Sequence, residues 1–478
     1  MSAPFIWIVL PGISAAVLFI LQRWQRTVLL LGMLFTLMLA WLAWIQPIGE
    51  TFLLGPLRFQ IVDTMFVLGR RFVLLPSDIP ILILLYLGTA FWFGGMIAAK
   101  AGPYFIPIGL EIVAILTAAI AVEPFLFAAL LIELLTIISL PLISPPGNEI
   151  GKGTLRFLSY QTLAMPLILL AGWILEGLEG SPADSQFVLL ASVLIGIGFS
   201  LLLAIFPFHT WVPMLAEETH PFVAAFIFYI FSLGITFLGI GFLERYVWLR
   251  SSERLFELFR LAGGLMVLIG GVWAAYQVHL GRLLGFAVLM ETGLSLLTLG
   301  IGPAGPQLSP SVELLFTSLL PRGLSFGVWA LALTAIARAH GGVENLKEGL
   351  LFTSLSGVGK SSPIATSALF LAIFSLAGFP LLAGFPVRFA LWQALAGKYL
   401  VAAVLALLSS VGLTIGGIRA LFAMITGSEV ESWKLTETWT ERIMIAVGTI
   451  AILLVGLLPQ WFLPSLARMT DVFLSTHP

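Results

Sequence analysis

The chain is a succession of apolar runs of about twenty residues separated by short polar stretches. A helix needs about 20 mostly apolar residues to cross a bilayer. On that length, spans fall near residues 3–21, 27–45, 80–98, 104–122, 124–143, 155–175, 187–206, 222–243, 262–278, 282–302, 311–337, 364–384, 399–424 and 442–463. The pattern predicts an all-α integral membrane protein of about 14 transmembrane helices. The longest connections, 46–79, 244–261 and 338–363, are too short for an independent domain. The segment 244–261, ERYVWLRSSERLFELFRL, mixes charges with apolar residues at helical spacing. It reads equally as an interfacial amphipathic helix or as a charged loop.

Proline interrupts two of these runs. One is LLLAIFPFHTWVP, with Pro207 and Pro213; the other is FSLAGFPLLAGFPVRF, with Pro380 and Pro386. Proline removes a backbone donor and clashes with the preceding turn, so each run predicts a discontinuous helix. The breaks fall on the fourth member of spans four to eight and the fourth member of spans nine to thirteen. Interrupted segments at matching positions suggest two inverted five-helix repeats, with spans seven and twelve broken. The plainer alternative is that membrane helices tolerate proline. The expected divisions are residues 1–98 for the first three helices, 99–243 and 244–424 for the repeats, and 425–478 for a C-terminal helix.

Composition agrees with the pattern. Of 478 residues, 59% are hydrophobic and 10% charged, with a mean hydropathy of +1.08. A soluble domain carries about 25% charged residues. The net charge of -1 gives no nucleic-acid footprint. Cysteine is absent, which excludes disulfides, thiolate zinc sites and cysteine-held iron–sulfur clusters in this chain. No cofactor is expected, and any redox chemistry belongs to a partner. The start, MSAPFIWIVLPGISAAVLFILQRWQR, has no basic stretch before its apolar run, so it predicts a first span anchored by Arg23 and Arg26.

Charges inside spans are costly and mark functional candidates. Glu133, in FLFAALLIELLTIISLPL, has apolar residues on both sides. It reads as a proton-exchanging carboxyl, or as a neutral structural one hydrogen-bonded to a neighbour. Glu291, in GFAVLMETGLSLL, and Arg322, in LLPRGLSFGVW, lie in adjacent spans and suit either a short relay or a structural ion pair. Arg388 follows the second break; its fixed charge can bias a neighbouring carboxylate or anchor the end of the broken helix. His209 follows Pro207 closely, suited to proton transfer or to satisfying freed carbonyls. The stretch SGVGKSS (356–362) ends like a phosphate-binding loop, but Ser354 stands where that motif needs glycine, and nucleotide binding is rejected.

Several stretches resemble the antiporter-like subunit family shared by respiratory complex I, membrane-bound hydrogenases and Mrp-type cation/proton antiporters. They are PFHTWVP (207–213), SLAGFPLLAGFPVRF (375–389), IELLTIISLPL (132–142), LGRLLGFAVLMETG (280–293) and GLLPQWFLP (456–464). The resemblance covers most of the chain in order. It implies that Glu133 takes the place of the fifth-helix glutamate and Arg388 that of the twelfth-helix lysine (or glutamate, in some members). Arg322 and Glu291 stand near the eleventh- and tenth-helix histidine positions. It also places Leu202, Ser232 and Phe326 where lysines are expected, and Met214 where an aspartate is usual.

The function implied is a proton-translocating membrane subunit of a complex I-type NADH or ferredoxin:quinone oxidoreductase, in an energy-transducing membrane. Its proton path would use Glu133, His209, Glu291, Arg322 and Arg388. The implied partners are other membrane subunits and redox subunits carrying flavin and iron–sulfur clusters. The alternatives are a non-pumping structural subunit of such a complex and an Mrp-type antiporter subunit.

Overall fold

A computed structural model describes residues 2–45, 48–49, 51–54, 57–147, 149–175, 186–302, 309–339, 346–426 and 435–475. A π-helical turn, Phe5–Val9, leads into α1 (Leu10–Ile20), followed by α2 (Gln25–Ile45), α3 (Ile79–Ala99), α4 (Phe105–Ala121) and α5 (Ala128–Ile143). Next come α6 (Lys152–Leu175), α7 (Gln186–Leu202), α8 (Trp211–Glu218), α9 (Pro221–Arg245) and the single turn α10 (Val247–Arg250). The second half holds α11 (Glu253–Tyr276), α12 (Leu280–Gly300), α13 (Ser309–Ala339), the short α14 (Leu346–Gly349) and α15 (Val358–Ser361), and α16 (Pro363–Ala377). It closes with α17 (Phe385–Ala396), α18 (Leu400–Ile425), α19 (Trp439–Leu457) and α20 (Pro459–Ser475). Among the described residues nine helices are long and apolar enough to cross a membrane, and five apolar helices are shorter. The chain is a multi-pass membrane protein.

Three expectations need correction. The spans are helical, but the described residues of the connection 46–79 include strands: β1 (Thr51–Leu54) pairs with β2 (Leu57–Gln60), and β3 (Thr64–Val67) pairs with β4 (Arg70–Val73). A short β5 (Val122–Glu123) extends the second pair. Leu68 and Gly69 form its two-residue turn with φ of 50° and 76°, the left-handed geometry that matches strand twist. The segment 244–261 is not a loop but largely helical. It comprises the end of α9, one turn, and the first turns of α11. The C-terminal segment holds two helices, because Pro459 cannot continue the α19 ladder.

The two five-helix sets repeat each other's packing. In the first, α4 packs on α5 and α9, α6 on α5, α7 and α8, and α8 on α9. In the second, α11 packs on α12 and α18, α13 on α12, α16 and α17, and α17 on α18. Glycines permit the closest of these contacts: a Cβ on Gly412 would strike the Gly271 backbone, and one on Gly263 would lie 2.7 Å from the Gly293 carbonyl. Without a hydrophobic drive between helices in lipid, such close backbone approach supplies much of the association. The sets join where α8 packs on α12 and α9 on α13. The whole 18-residue core of α12 is buried, against 28% of that of α6, so α12 is central and α6 peripheral.

Candidate functional site

The second break is built around Gly378. It takes φ 84°, a left-handed conformation that glycine adopts without penalty. The Phe379 N–H donates to the Phe374 carbonyl at 3.0 Å and the Gly378 N–H to Ser375 O at 3.1 Å. The Phe374 and Phe379 rings stack at 4.7 Å. This is a complete Schellman termination of α16, with its usual apolar contact. Beyond the break, Arg388 on α17 reaches back, its Nε donating at 3.1 Å and its Nη2 at 2.8 Å to the Leu376 carbonyl. That carbonyl is one of those left without a partner at a helix end. The Gly384 N–H is satisfied by Ser375 Oγ at 3.2 Å.

The same guanidinium pairs with Glu291. Its Nη2 donates to Glu291 Oε1, while Arg322 Nε donates to Oε2 at 2.9 Å. Arg322 Nη2 also donates to Ser295 Oγ at 2.8 Å and to the Glu291 carbonyl at 3.3 Å. Glu291, Arg322 and Arg388 are 5%, 7% and 5% exposed, so the triad is out of solvent. Arg322 stands one residue after Pro321, which lies inside α13. A cavity with a water-accessible volume of about 30 Å³ adjoins the triad, lined also by Ser375, Ser318 and Thr298. That exceeds the roughly 10–15 Å³ that one water needs.

The first break has the same termination without the glycine. The Ile205 N–H donates to Ser200 O at 2.8 Å and Ala204 to Leu201 O at 3.4 Å, with Ala204 at φ 54°. Pro207 follows, then a 3₁₀ turn at Phe208–Thr210 that holds His209, then α8. Here Gln161 on α6 donates to the terminal Leu202 carbonyl at 3.3 Å. Glu133 on α5 accepts from Thr162 Oγ1 at 2.8 Å, while its Oε2 is buried without a partner among the described residues. His209 Nδ1 is likewise buried without a partner among the described residues. Glu133 and His209 thus stand apart from the triad.

Sequence reasoning missed Gln161, Thr162, Ser325 and Ser375. Ser325 Oγ donates to Ser375 Oγ at 2.8 Å and ties α13 to the second break. Their signal was weak, because serine and threonine commonly satisfy their own helix carbonyls. Of the positions expected to hold lysine, Leu202 and Phe326 are buried, and the Ser232 carbonyl accepts from Thr236 at 2.6 Å.

At one end of the helices, outside the spans, two histidines cap helix N-termini. His279 Nδ1 accepts from Gly281 N at 3.0 Å and Arg282 N at 3.3 Å, which starts α12. His220 Nδ1 accepts from Phe222 N at 3.2 Å, which starts α9. Burial, reinforced by the Arg338 charge, pulls the His220 pKa down to about 4. Burial also lowers that of His279. Beside them Glu217 pairs with Arg282 at 2.7 Å and Glu218 with Lys347 at 3.3 Å. Among the described residues no cluster suits a metal ion.

Residues 132–416, more than half the chain, match the family model described as NADH:quinone oxidoreductase/Mrp antiporter, transmembrane. The chain belongs to this family. Among curated proteins it is 26% identical over 345 residues to NADH-quinone oxidoreductase subunit N of Cytophaga hutchinsonii, covering 68% of this chain and 71% of that one. Among solved structures it is similar to a chain of the Mrp complex from Dietzia sp. DQ12-45-1b, with a TM-score of 0.78, 18% identity, and coverage of 99% and 98%. It is also similar to a chain of respiratory complex I from Thermus thermophilus, with a TM-score of 0.74, 18% identity, and coverage of 98% and 100%. These structural likenesses speak to the fold. Membership makes the chain an antiporter-like membrane subunit.

Proposed function

We propose that this chain is a proton-translocating, antiporter-like subunit of a complex I-type NADH or ferredoxin:quinone oxidoreductase. The observation that carries the proposal is the buried Glu291–Arg322–Arg388 triad at the second helix break, beside a small cavity. A proton reaching Glu291 would cancel the charge that holds Arg388. Because Arg388 also caps the end of α16 through Leu376, protonation would loosen the break itself. Arginine keeps its charge, so it biases the carboxylate and does not carry the proton. In the first repeat, Glu133 Oε2 and His209 Nδ1 have no hydrogen-bond partner among the described residues, and both are placed on the proposed proton path. The broken helices are taken as the fourth members of repeats at 99–243 and 244–424. Five crossings per set would place the second set in the opposite orientation. Electron transfer would belong to partner subunits carrying flavin and iron–sulfur clusters.

The test is the complex containing this chain, reconstituted in sealed vesicles with a pH-sensitive dye. Glu133→Gln and Glu291→Gln are each expected to lower the proton-to-electron ratio while the partner subunits continue redox turnover. An unchanged ratio in both would remove the case for translocation through this chain. A non-pumping structural role is the second reading. It is favoured by Leu202 and Phe326 at positions expected to hold lysine, and by the pairing of both Glu291 oxygens.

A further inference from the structure

We infer that the cavity at the second helix break is a binding site for a small monovalent anion of the size of chloride. Two buried guanidinium groups face one carboxylate there, which leaves one positive charge in excess. No other acidic side chain lines the cavity among the described residues. An uncompensated charge out of water is expensive, and buried charges are held by partners of opposite sign. The C-terminal end of α16 offsets part of the Arg388 charge through the Leu376 carbonyl. The N-terminal end of α17, twelve residues long, opens on the same break and adds positive character.

Ser375 supplies an independent pointer. It is fully buried and lines the cavity. Its oxygen accepts from Ser325 Oγ and from the Gly384 N–H, so its own hydroxyl proton is given to neither. A donor left over, an excess positive charge and a cavity with about 30 Å³ of water-accessible volume coincide. An acceptor that brings a negative charge satisfies all three, whereas a water satisfies the hydroxyl and leaves the charge. A divalent anion would overshoot the balance, and a cation would meet two arginines.

The inference does not depend on proton translocation, because binding is read without turnover. The full chain would be purified in detergent in sodium gluconate, and binding of radioactive chloride followed by scintillation proximity. Folding of each variant would be checked by circular dichroism and by gel filtration. Saturable binding of a single ion per chain is expected. Arg388→Gln should weaken it about tenfold or more, the scale of one charge-assisted hydrogen bond. Ser375→Ala, a neutral change that leaves the triad in place, should weaken it less. Glu291→Gln removes the competing negative charge and should tighten it. Absence of saturable binding to folded wild-type chain would overturn the inference. So would binding that Arg388→Gln and Ser375→Ala both leave unchanged, or binding that Glu291→Gln weakens. If Glu291→Gln or Arg388→Gln does not stay folded, Ser375→Ala decides.

Discussion

Glu291 was visible in the sequence as a charge in a span, but its meaning lies in two arginines that are 31 and 97 residues away along the chain. Breaking a buried ionic group by removing one member typically costs about 3–5 kcal/mol, because the remaining charge is stranded. Glu291→Leu is therefore expected to lower the thermal midpoint in detergent markedly. A midpoint equal to wild type would show that the triad does not hold α12, α13 and α17 together. His220 gives a prediction in pH. Its folded pKa, about 4, lies below the ordinary 6.5. Between those values the unfolded chain binds a proton that the folded chain refuses. Stability from this group is intact above pH 6.5 and falls as pH drops toward 4. The loss at the acid end is about 3 kcal/mol. Asparagine can also cap a helix without titrating. In His220→Asn, the fall in thermal midpoint between pH 7 and pH 5 should accordingly be smaller than in wild type.

Helix breaks are the elements that matter. Proline at 207 and 380 made both legible, yet neither helix stops at its proline. α7 ends at Leu202 and α16 at Ala377, each closed by a left-handed residue two to three positions before the proline. At the second break that residue is glycine, and at the first it is Ala204. A Cβ on Gly378 would lie 2.9 Å from Arg388 Cγ as well as forcing L-residue geometry at φ 84°. The backbone part alone costs about 1–2 kcal/mol. Gly378→Ala should lower the thermal midpoint and disturb Arg388. Ala204→Gly relieves the same backbone cost but loses a buried methyl, so its midpoint should move far less. Equal and opposite shifts would argue that backbone geometry is the whole effect. The strand pairs in 46–79 were also open to sequence reasoning: MFVLGRRFV has two short runs around a Leu-Gly turn, obscured by the length prior for spans.

At the scale of the molecule, the recurrence of packing partners in the two helix sets places Glu133 on the second helix of one and Glu291 on the second helix of the other. The two carboxylates occupy corresponding helices in different surroundings. One has a threonine and a free oxygen; the other has two arginines. The carboxylate with an unpaired oxygen thus sits in the first set and the doubly paired one in the second. Translocation should accordingly respond more steeply to Glu133→Gln than to Thr162→Ala, which keeps the carboxyl. A proton-to-electron ratio equally reduced by both would point to the hydrogen bond rather than the titrating group.

The sequence by itself determined the membrane environment and the helical, multi-pass character of the chain, because the bilayer admits only backbone that satisfies its own hydrogen bonds. It also located both breaks and every charged member of the triad. Only the tertiary structure decided that Arg322 and Arg388 converge on one carboxylate while Glu133 does not join them. It likewise revealed the serines and glutamine that complete each break. Pairing between helices depends on which faces meet. In lipid those faces are chosen by close packing at small residues such as Gly271 and Gly412, whose effect on register a linear pattern does not carry.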